Sequence, residues 1–240
     1  MSEFRYVKKY WDRVGGGYQN SWGSLANQKL SGKEQDFIKK FIPEKTIKAL
    51  DIGIGNGRIL DAISEKTNSE SEMYGFDASE SMVKYCREKY RNNKKVKGLE
   101  VIKDMGGLKV FGTKFNIITA VRALKYNSNW KEILTKLFSM LESGGVIVFT
   151  MPKKRFFLPR SSDMSGMPYI RISVREIRKI AEKQNMKEIE IKSFAKIPYF
   201  FYKVKNTIFS KFVLFCENIL EFTFGSHFLA REVFYAYKKQ

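Results

Sequence analysis

Residues 47–57, IKALDIGIGNG, form a short apolar run that ends in three closely spaced glycines. The run 47–52 predicts a buried β-strand, and the amphipathic stretch from about residue 56 to 66 predicts a helix directly after the glycine turn. Glycines let the backbone turn sharply and approach a ligand closely, and the N-terminus of the following helix offers free amides. The stretch therefore predicts a ligand site on a strand–turn–helix unit of an α/β fold.

The spacing of the glycines narrows the kind of ligand. A dinucleotide-binding turn has the pattern G-x-G-x-x-G, because its third glycine lets helix and strand pack around a pyrophosphate. Here the glycines are Gly53, Gly55 and Gly57, and Arg58 stands where a dinucleotide fold needs glycine. Asp51 precedes the first glycine by two residues, where a carboxylate can orient a positively charged amino group. The turn therefore favours a ligand with an amino-acid end over a dinucleotide.

Two further acidic residues follow the next two predicted strands. Asp77 lies about twenty residues beyond the turn, where a carboxylate can accept hydrogen bonds from both hydroxyls of a ribose. Asp104 can accept the amino group of an adenine, with Met105 and Met82 flanking the ring. The alternatives are a helix-capping Asp77 and a solvated Asp104. Acidic residues at the ends of successive parallel strands share one rim of the sheet, where open α/β folds bind ligands.

The rest of the chain alternates between apolar runs and amphipathic stretches, which predicts a parallel sheet covered on both faces. Three helix starts are marked by capping residues: Ser31 with Glu34, Ser79, and Ser173 with Glu176. The predicted strands are 47–52, 72–77, 99–103, 115–121, 146–151, 188–193 and 233–238.

These motifs resemble those of class I S-adenosylmethionine (SAM)-dependent methyltransferases. The matching stretches are LDIGIGNGRIL, GFDASESM, KDM, FNIITAVRALKY and LESGGVIVFTMP, which lie between about residues 47 and 152. The departure is Ser143, which stands where proline is usual. The resemblance implies a doubly wound, Rossmann-like seven-stranded sheet with an antiparallel last strand. It also implies a lid before the first strand, SAM as the cofactor and S-adenosylhomocysteine as the product.

The resemblance and the strand ends together define the expected cofactor site. Tyr10, Trp11, Tyr18 and Trp22 are expected to cover the methionine end of SAM, and packing of an N-terminal helix is the alternative. The expected cofactor-binding residues are Asp51, Gly53, Gly55, Asn56, Gly57, Asp77, Ala78, Met82, Asp104, Met105, Val121, Tyr18 and Trp22.

The acceptor is less well defined by the sequence. Arg122 and Tyr126 follow the fourth strand and are the expected acceptor-side residues, with strand-end packing and a surface arginine as the alternative. The segment lacks the N/D-P-P-Y/F motif for nucleobase amines and the Pro-Cys pair for attack on a pyrimidine. His227, the single histidine, is a candidate base or an ordinary loop residue. One histidine and scattered acids predict no metal site.

One domain, 1–240, is expected, with an N-terminal lid (1–30), a SAM-binding core (31–151) and a substrate-side region (152–240). The last region holds a helical insertion before the final strand. An apolar stripe there predicts a core-packed or dimer-forming helix, and a cover over the substrate or a lipid-contacting surface is the alternative. The stripe consists of Ile208, Phe212, Cys216, Ile219 and Thr223, and the opposite face carries Lys211, Glu217 and Glu221.

Composition leaves the partners open. The net charge of +19 comes mostly from scattered lysines, and the basic run 153–160 could attract an anionic acceptor. Two unpaired cysteines, and the lack of a signal-like or membrane-spanning run, predict a cytoplasmic protein. We expect a monomer or homodimer that methylates oxygen or nitrogen of a small metabolite. The alternatives are an RNA or lipid methyltransferase that binds an anionic partner, and a SAM-binding protein without catalysis.

Overall fold

The computed structural model describes residues 3–15, 23–102, 113–153, 169–224 and 232–240. The strands are β1 (Lys48–Ile52), β2 (Glu72–Asp77), β3 (Val96–Val101), β4 (Phe115–Ala120), β5 (Leu141–Met151), β6 (Met186–Phe194) and β7 (Glu232–Lys239). The helices are α1 (Glu3–Val14), α2 (Leu25–Lys39), α3 (Arg58–Lys66), α4 (Glu80–Lys89), α5 (Trp130–Ser139), α6 (Val174–Lys183), α7 (Tyr199–Tyr202) and α8 (Thr207–Phe224). A short 3-10 helix, Leu124–Tyr126, follows β4.

The strands form one seven-stranded sheet in the order β3-β2-β1-β4-β5-β7-β6. Neighbouring strands among β1 to β5 pair in parallel, and β7 pairs antiparallel with both β5 and β6. This confirms the predicted doubly wound sheet with an antiparallel last strand. The strand order reverses between β1 and β4, which places the carboxyl ends of these strands at the point where such sheets bind ligands.

Apolar side chains cover both faces of the sheet. On one face α5 and α6 pack against β5 and β7, where the rings of Phe149 and Tyr235 stack with centroids 5.2 Å apart. On the other face α2, α3, α4 and α8 contribute to a second cluster, in which Phe37 of α2 meets Phe234 of β7 edge to face at 5.5 Å. Burial on both faces explains why the central strands read as nearly continuous apolar runs.

The predicted capping box of Ser31 and Glu34 is wrong. Helix α2 begins seven residues earlier, because the Ser24 hydroxyl caps it by accepting the Asn27 amide at 3.2 Å. Ser31 and Glu34 lie inside the helix, where both side chains bind Arg58. The other two caps are confirmed, since Ser79 starts α4 and Ser173 with Glu176 forms a complete capping box at α6.

The expectation that the apolar stripe of the insertion packs in the core is wrong, and its dimer-forming alternative stays a prediction. Helix α8 forms, but Ile208, Phe212 and Ile219 of its apolar stripe point to solvent. The opposite face packs on the body of the protein and buries Val213 and Glu217. Across the described residues, we find no helix with both the length and the apolar character needed to cross a membrane.

Candidate active site

The glycine turn between β1 and α3 requires glycine for two separate reasons. Gly53, Gly55 and Gly57 have φ values of 76°, 51° and 80°, a region that side-chain-bearing residues rarely adopt. A Cβ atom on Gly53 would lie 2.7 Å from the Cβ of Ala123, and one on Gly57 would lie 2.4 Å from the Tyr90 hydroxyl. The backbone therefore approaches its neighbours too closely for another residue at these two positions.

The carboxylate of Asp77 holds this turn against the end of β2. Its Oδ2 accepts the Gly55 amide and its Oδ1 accepts the Ser79 amide, each at 2.9 Å. Burial raises the pKa of Asp77, and the hydrogen bonds from Ser79 and Gly55 partly oppose that effect. Each carboxylate oxygen has a second lone pair, so Asp77 can accept further hydrogen bonds from a ligand.

Asp51 lies one residue before the end of β1 and is almost fully buried. Its Oδ1 accepts the Thr119 hydroxyl at 2.7 Å, whereas its Oδ2 has no hydrogen-bond partner among the described residues. Burial raises the pKa of Asp51 to about 7, and the Thr119 hydrogen bond and the Arg58 charge limit the rise. An unsatisfied buried carboxylate oxygen is costly, so a cationic partner would stabilise Asp51.

A cleft of about 770 Å³, part of it open to solvent, lies at the carboxyl ends of β1, β2 and β4. A concave site at this position of an open α/β sheet is where such folds bind small-molecule ligands. It is lined by Val7, Trp11, Gly53, Gly55, Asp77, Ala78, Met82, Ile102, Val121, Arg122, Ala123, Tyr126 and Asn127. Nine of the predicted site residues thus meet in one place: Trp11, Gly53, Gly55, Asp77, Ala78, Met82, Val121, Arg122 and Tyr126.

The other predicted residues fall outside this lining or outside the described chain. Asp51, Asn56 and Gly57 belong to β1 and the glycine turn but are not part of the cleft wall. Tyr18, Trp22, Asp104, Met105 and His227 lie outside the described residues. Val7 was missed by the sequence analysis, although it lies one helical turn before Trp11 and so shares its face of α1.

Helix α1 closes one side of the cleft and is fastened to the start of α4. The Asp12 carboxylate accepts hydrogen bonds from the Ser79 hydroxyl at 2.8 Å and from Lys8 at 2.9 Å. Lys8 also reaches Glu80 at 3.0 Å. Burial alone would raise the pKa of Asp12, but the hydrogen bonds from Lys8 and Ser79 bring it below its ordinary value. These contacts, which we call the α1 latch, hold Val7 and Trp11 over the cleft.

Arg122 follows β4, lines the same cleft and has a left-handed backbone with φ of 60°. Its amide donates to the Thr150 hydroxyl at 2.7 Å, and its Nε donates to Glu232 at 2.6 Å. Its Nη2 pairs with Glu34 and donates to the Tyr199 hydroxyl at 2.8 Å. The alternative of a surface arginine is therefore wrong, because both ends of the guanidinium are held by buried carboxylates.

More groups join these contacts. Glu34 also pairs with Arg58 at 2.9 Å, and Glu232 accepts the Tyr199 hydroxyl at 2.8 Å and lies 3.7 Å from Lys125. Burial would raise the pKa of Glu232, but the charges of Lys125 and Arg122 lower it to about 2. We call this set the Arg122 network; its members are Glu34, Arg58, Arg122, Lys125, Tyr199 and Glu232.

Comparison with known proteins identifies the class. Residues 43–195 match the model of a methyltransferase domain, so the chain belongs to that family. No curated protein sequence matches the chain.

Solved structures share the fold at low sequence identity. Magnesium protoporphyrin IX methyltransferase from Synechocystis PCC 6803 with bound SAM aligns over 100% of this chain and 98% of its own, with 12% identity and a TM-score of 0.67. A Haemonchus contortus phosphoethanolamine N-methyltransferase aligns over 100% of this chain and 60% of its own, with 16% identity and a TM-score of 0.66. That structure is a complex with phosphomonomethylethanolamine and S-adenosylhomocysteine. The [4+2]-cyclase SpnF aligns over 97% of this chain and 94% of its own, with 14% identity and a TM-score of 0.69.

Proposed function

We propose that the protein transfers a methyl group from SAM to an oxygen or nitrogen of a small-molecule acceptor. The observation that carries the proposal is the cleft at the switch point of the sheet. There a glycine turn, a buried acidic strand end and an aromatic helix meet Arg122 and Tyr126 of the segment after β4. The chain's family and the SAM or S-adenosylhomocysteine bound by structural neighbours support it.

The residues on the glycine side of the cleft suit the parts of SAM. The backbone of Gly53 lines the cleft and suits the amino-acid end, and the unsatisfied oxygen of Asp51 suits its ammonium group. Asp77 keeps lone pairs for ribose hydroxyls, and the apolar side chains of Met82 and Ile102 suit a flat ring. Asp104, Met105, Tyr18 and Trp22 remain proposed contacts on the strength of the sequence.

The acceptor then occupies the Arg122 and Tyr126 side of the cleft. When bound, SAM would supply a methyl group on its sulfonium: the acceptor lone pair would form the new bond to the methyl carbon as the S–CH3 bond breaks, the sulfur would keep the bonding electrons and leave as S-adenosylhomocysteine, and the acceptor's proton would pass to water or a base. The protein's part is to hold the two reactants close and aligned. Arg122 is fixed by the Arg122 network, so it can position an acceptor but does not take its proton. His227 remains a candidate base.

Calorimetric titration with SAM tests the proposed binding of the cofactor. We expect Asp77→Ala to weaken SAM binding by more than about tenfold, because hydrogen bonds to a carboxylate contribute about 1.5–3 kcal/mol. Thermal unfolding must be measured alongside, since Asp77 also holds two backbone amides. A folded variant that binds SAM as tightly as the parent would contradict the ribose assignment.

Methyl transfer from labelled SAM to a cell extract tests the proposed class of acceptor. The extract is separated into small metabolites, lipid and nuclease-sensitive RNA before counting. Label among small metabolites supports the proposal and supplies the compound for identification. Label confined to lipid or RNA would replace the small-molecule acceptor, and tight SAM binding without any labelled product would argue for a binding protein.

A further inference from the structure

Helix α8 exposes a continuous apolar face. Ile208, Phe212, Phe215, Ile219 and Phe222 are all exposed, with Ile208 at 80% and Phe222 at 92%. At 100° per residue they fall within an arc of about 80° on the helix surface, so they form one stripe. We call these five residues the α8 face. An exposed patch of this kind is unusual on a protein surface and marks an interaction site.

The α8 face is exposed because polar side chains anchor the opposite side of the helix. The buried carboxylate of Glu217 accepts the amides of Lys196 at 3.0 Å and Ile197 at 3.3 Å, and also the Tyr202 hydroxyl. Glu221 lies 3.8 Å from the buried ammonium group of Lys196. The helix is thus oriented by specific hydrogen bonds with Phe212, Phe215 and Phe222 outward, against the usual preference for apolar burial.

The fully exposed charged side chains of the segment 199–222 are lysines. Between residues 199 and 222 the acidic residues Glu217 and Glu221 are turned toward the body of the protein. The lysines of the same segment, Lys203, Lys205 and Lys211, are exposed. Lys211 lies about 60° from Ile208 around the helix axis, at the rim of the apolar stripe. The whole chain carries a net charge of +19.

We propose that the α8 face docks on the surface of an anionic lipid bilayer. Aromatic and aliphatic residues in an amphipathic helix insert at the level of the headgroups, and lysines beside them are attracted by anionic lipid. The charge separates this occupant from a second copy of the chain, because two surfaces of strongly positive molecules repel each other. Helix α7 contacts the anchored side of α8 through the Tyr202 hydroxyl and Glu217, and its Tyr199 is hydrogen-bonded to Arg122 in the cleft.

Vesicle co-sedimentation tests the proposal without SAM or an acceptor, so its outcome is independent of methyl transfer. The probes are vesicles of phosphatidylcholine alone and vesicles of equal parts phosphatidylcholine and phosphatidylglycerol. We expect binding to the anionic vesicles and little to the neutral ones. Combined Phe212→Ser, Phe215→Ser and Phe222→Ser substitutions should reduce that binding by about tenfold or more. The three side chains are solvent-exposed, so the fold should be retained.

Two matched controls separate docking from general attraction. Ile219 and Ile189 are 44% and 43% exposed, but Ile189 lies on β6. Ile219→Ser should weaken vesicle binding, whereas Ile189→Ser should not. Likewise, Lys203→Ala with Lys211→Ala should weaken binding more than Lys179→Ala with Lys183→Ala on α6, which removes the same charge.

Three outcomes would overturn the proposal. The first is no binding to anionic vesicles at low salt. The second is an equal loss of vesicle binding in the α8-face variants and in their controls, which would mean unspecific charge attraction. The third is a parent protein that is dimeric by sedimentation velocity and becomes monomeric in the triple Phe variant without binding vesicles. That result would assign the α8 face to self-association.

Discussion

The two sides of the cleft are built in different ways. Where we propose that the cofactor binds, backbone groups form the wall. The Gly55 and Ser79 amides donate to the Asp77 carboxylate, and Gly53 approaches Ala123 closely. Where we propose that the acceptor binds, the buried charges of the Arg122 network fix the wall. A backbone-built site is set by local sequence, whereas a site built from side chains depends on residues brought together by the fold.

The largest expected effect lies in the Arg122 network. Glu232→Gln keeps the shape of the side chain but leaves Arg122 and Lys125 without one buried counter-charge. Breaking one partner of a buried ion pair typically costs about 3–5 kcal/mol, so we expect a fall of that order in the free energy of unfolding. Denaturant unfolding measures it.

The control is Glu190→Gln, which removes a partly exposed pair with Lys40. An exposed pair contributes about 1 kcal/mol or less, so this variant should unfold nearly like the parent. Equal stability of the two variants would show that the Arg122 network does not hold the acceptor wall.

The next largest effect is expected on the cofactor side. Gly53→Ala places a methyl group against Ala123 at a φ of 76°, which displaces the turn. We expect SAM affinity to fall by about a hundredfold, since strained backbone of this kind costs about 1–3 kcal/mol before any contact is lost. Titration calorimetry gives the affinity.

Gly32→Ala is the matched control, because Gly32 lies within α2 and a Cβ there meets nothing within 4 Å. Alanine is favoured over glycine in a helix by about 0.8–1 kcal/mol, so this variant should be slightly more stable and bind SAM normally. If both variants bind SAM like the parent, the turn is not part of the cofactor site.

These differences explain what the sequence could predict. The glycine turn, the ends of β1 and β2 and the cap at Ser79 depend on neighbouring residues, so their positions were predicted closely. The Arg122 network depends on residues from α2 to β7, and no local pattern marks Glu34 or Glu232 as partners of Arg122.

The orientation of α8 shows the same limit. Its apolar stripe was recognised from helical spacing, but spacing cannot say which face is buried. Glu217 determines which face is buried, and its hydrogen-bond partners Lys196 and Ile197 lie about twenty residues away in the sequence. The misplaced start of α2 has a related cause, because Ser31 and Glu34 fit a capping pattern while their side chains serve Arg58.

A smaller effect should appear as a pH dependence of cofactor binding. The folded-state pKa of Asp51 is about 7, above its ordinary value of 3.8, so between these values the folded protein holds a proton that the unfolded chain releases. Asp51 therefore stabilises the fold at low pH and loses that contribution as pH rises toward 7. A cationic ligand group favours the carboxylate, so SAM affinity should rise about tenfold from about pH 6 to 8.

Titration calorimetry across this range checks the prediction, and buffers of different ionisation enthalpy reveal proton release below pH 7. In Asp51→Asn, which keeps the shape but cannot ionise, the affinity should be lower and nearly flat with pH. A parent protein whose SAM affinity does not change over this range would show that Asp51 does not face the ammonium group.

The smallest effect is expected at the α1 latch. Asp12→Asn weakens the contacts to Lys8 and Ser79, which are partly exposed, so we expect a loss of about 1 kcal/mol or less in the docking of α1. SAM affinity should fall by fivefold or less, mainly through faster dissociation, because Val7 and Trp11 cover the cleft less of the time. Stopped-flow tryptophan fluorescence measures the dissociation rate.

Glu88→Gln, which removes a well-exposed pair with Arg91, is the control. Faster dissociation in Asp12→Asn alone would show that the N-terminal helix closes the cofactor side, while equal rates in both variants would leave α1 a passive part of the wall.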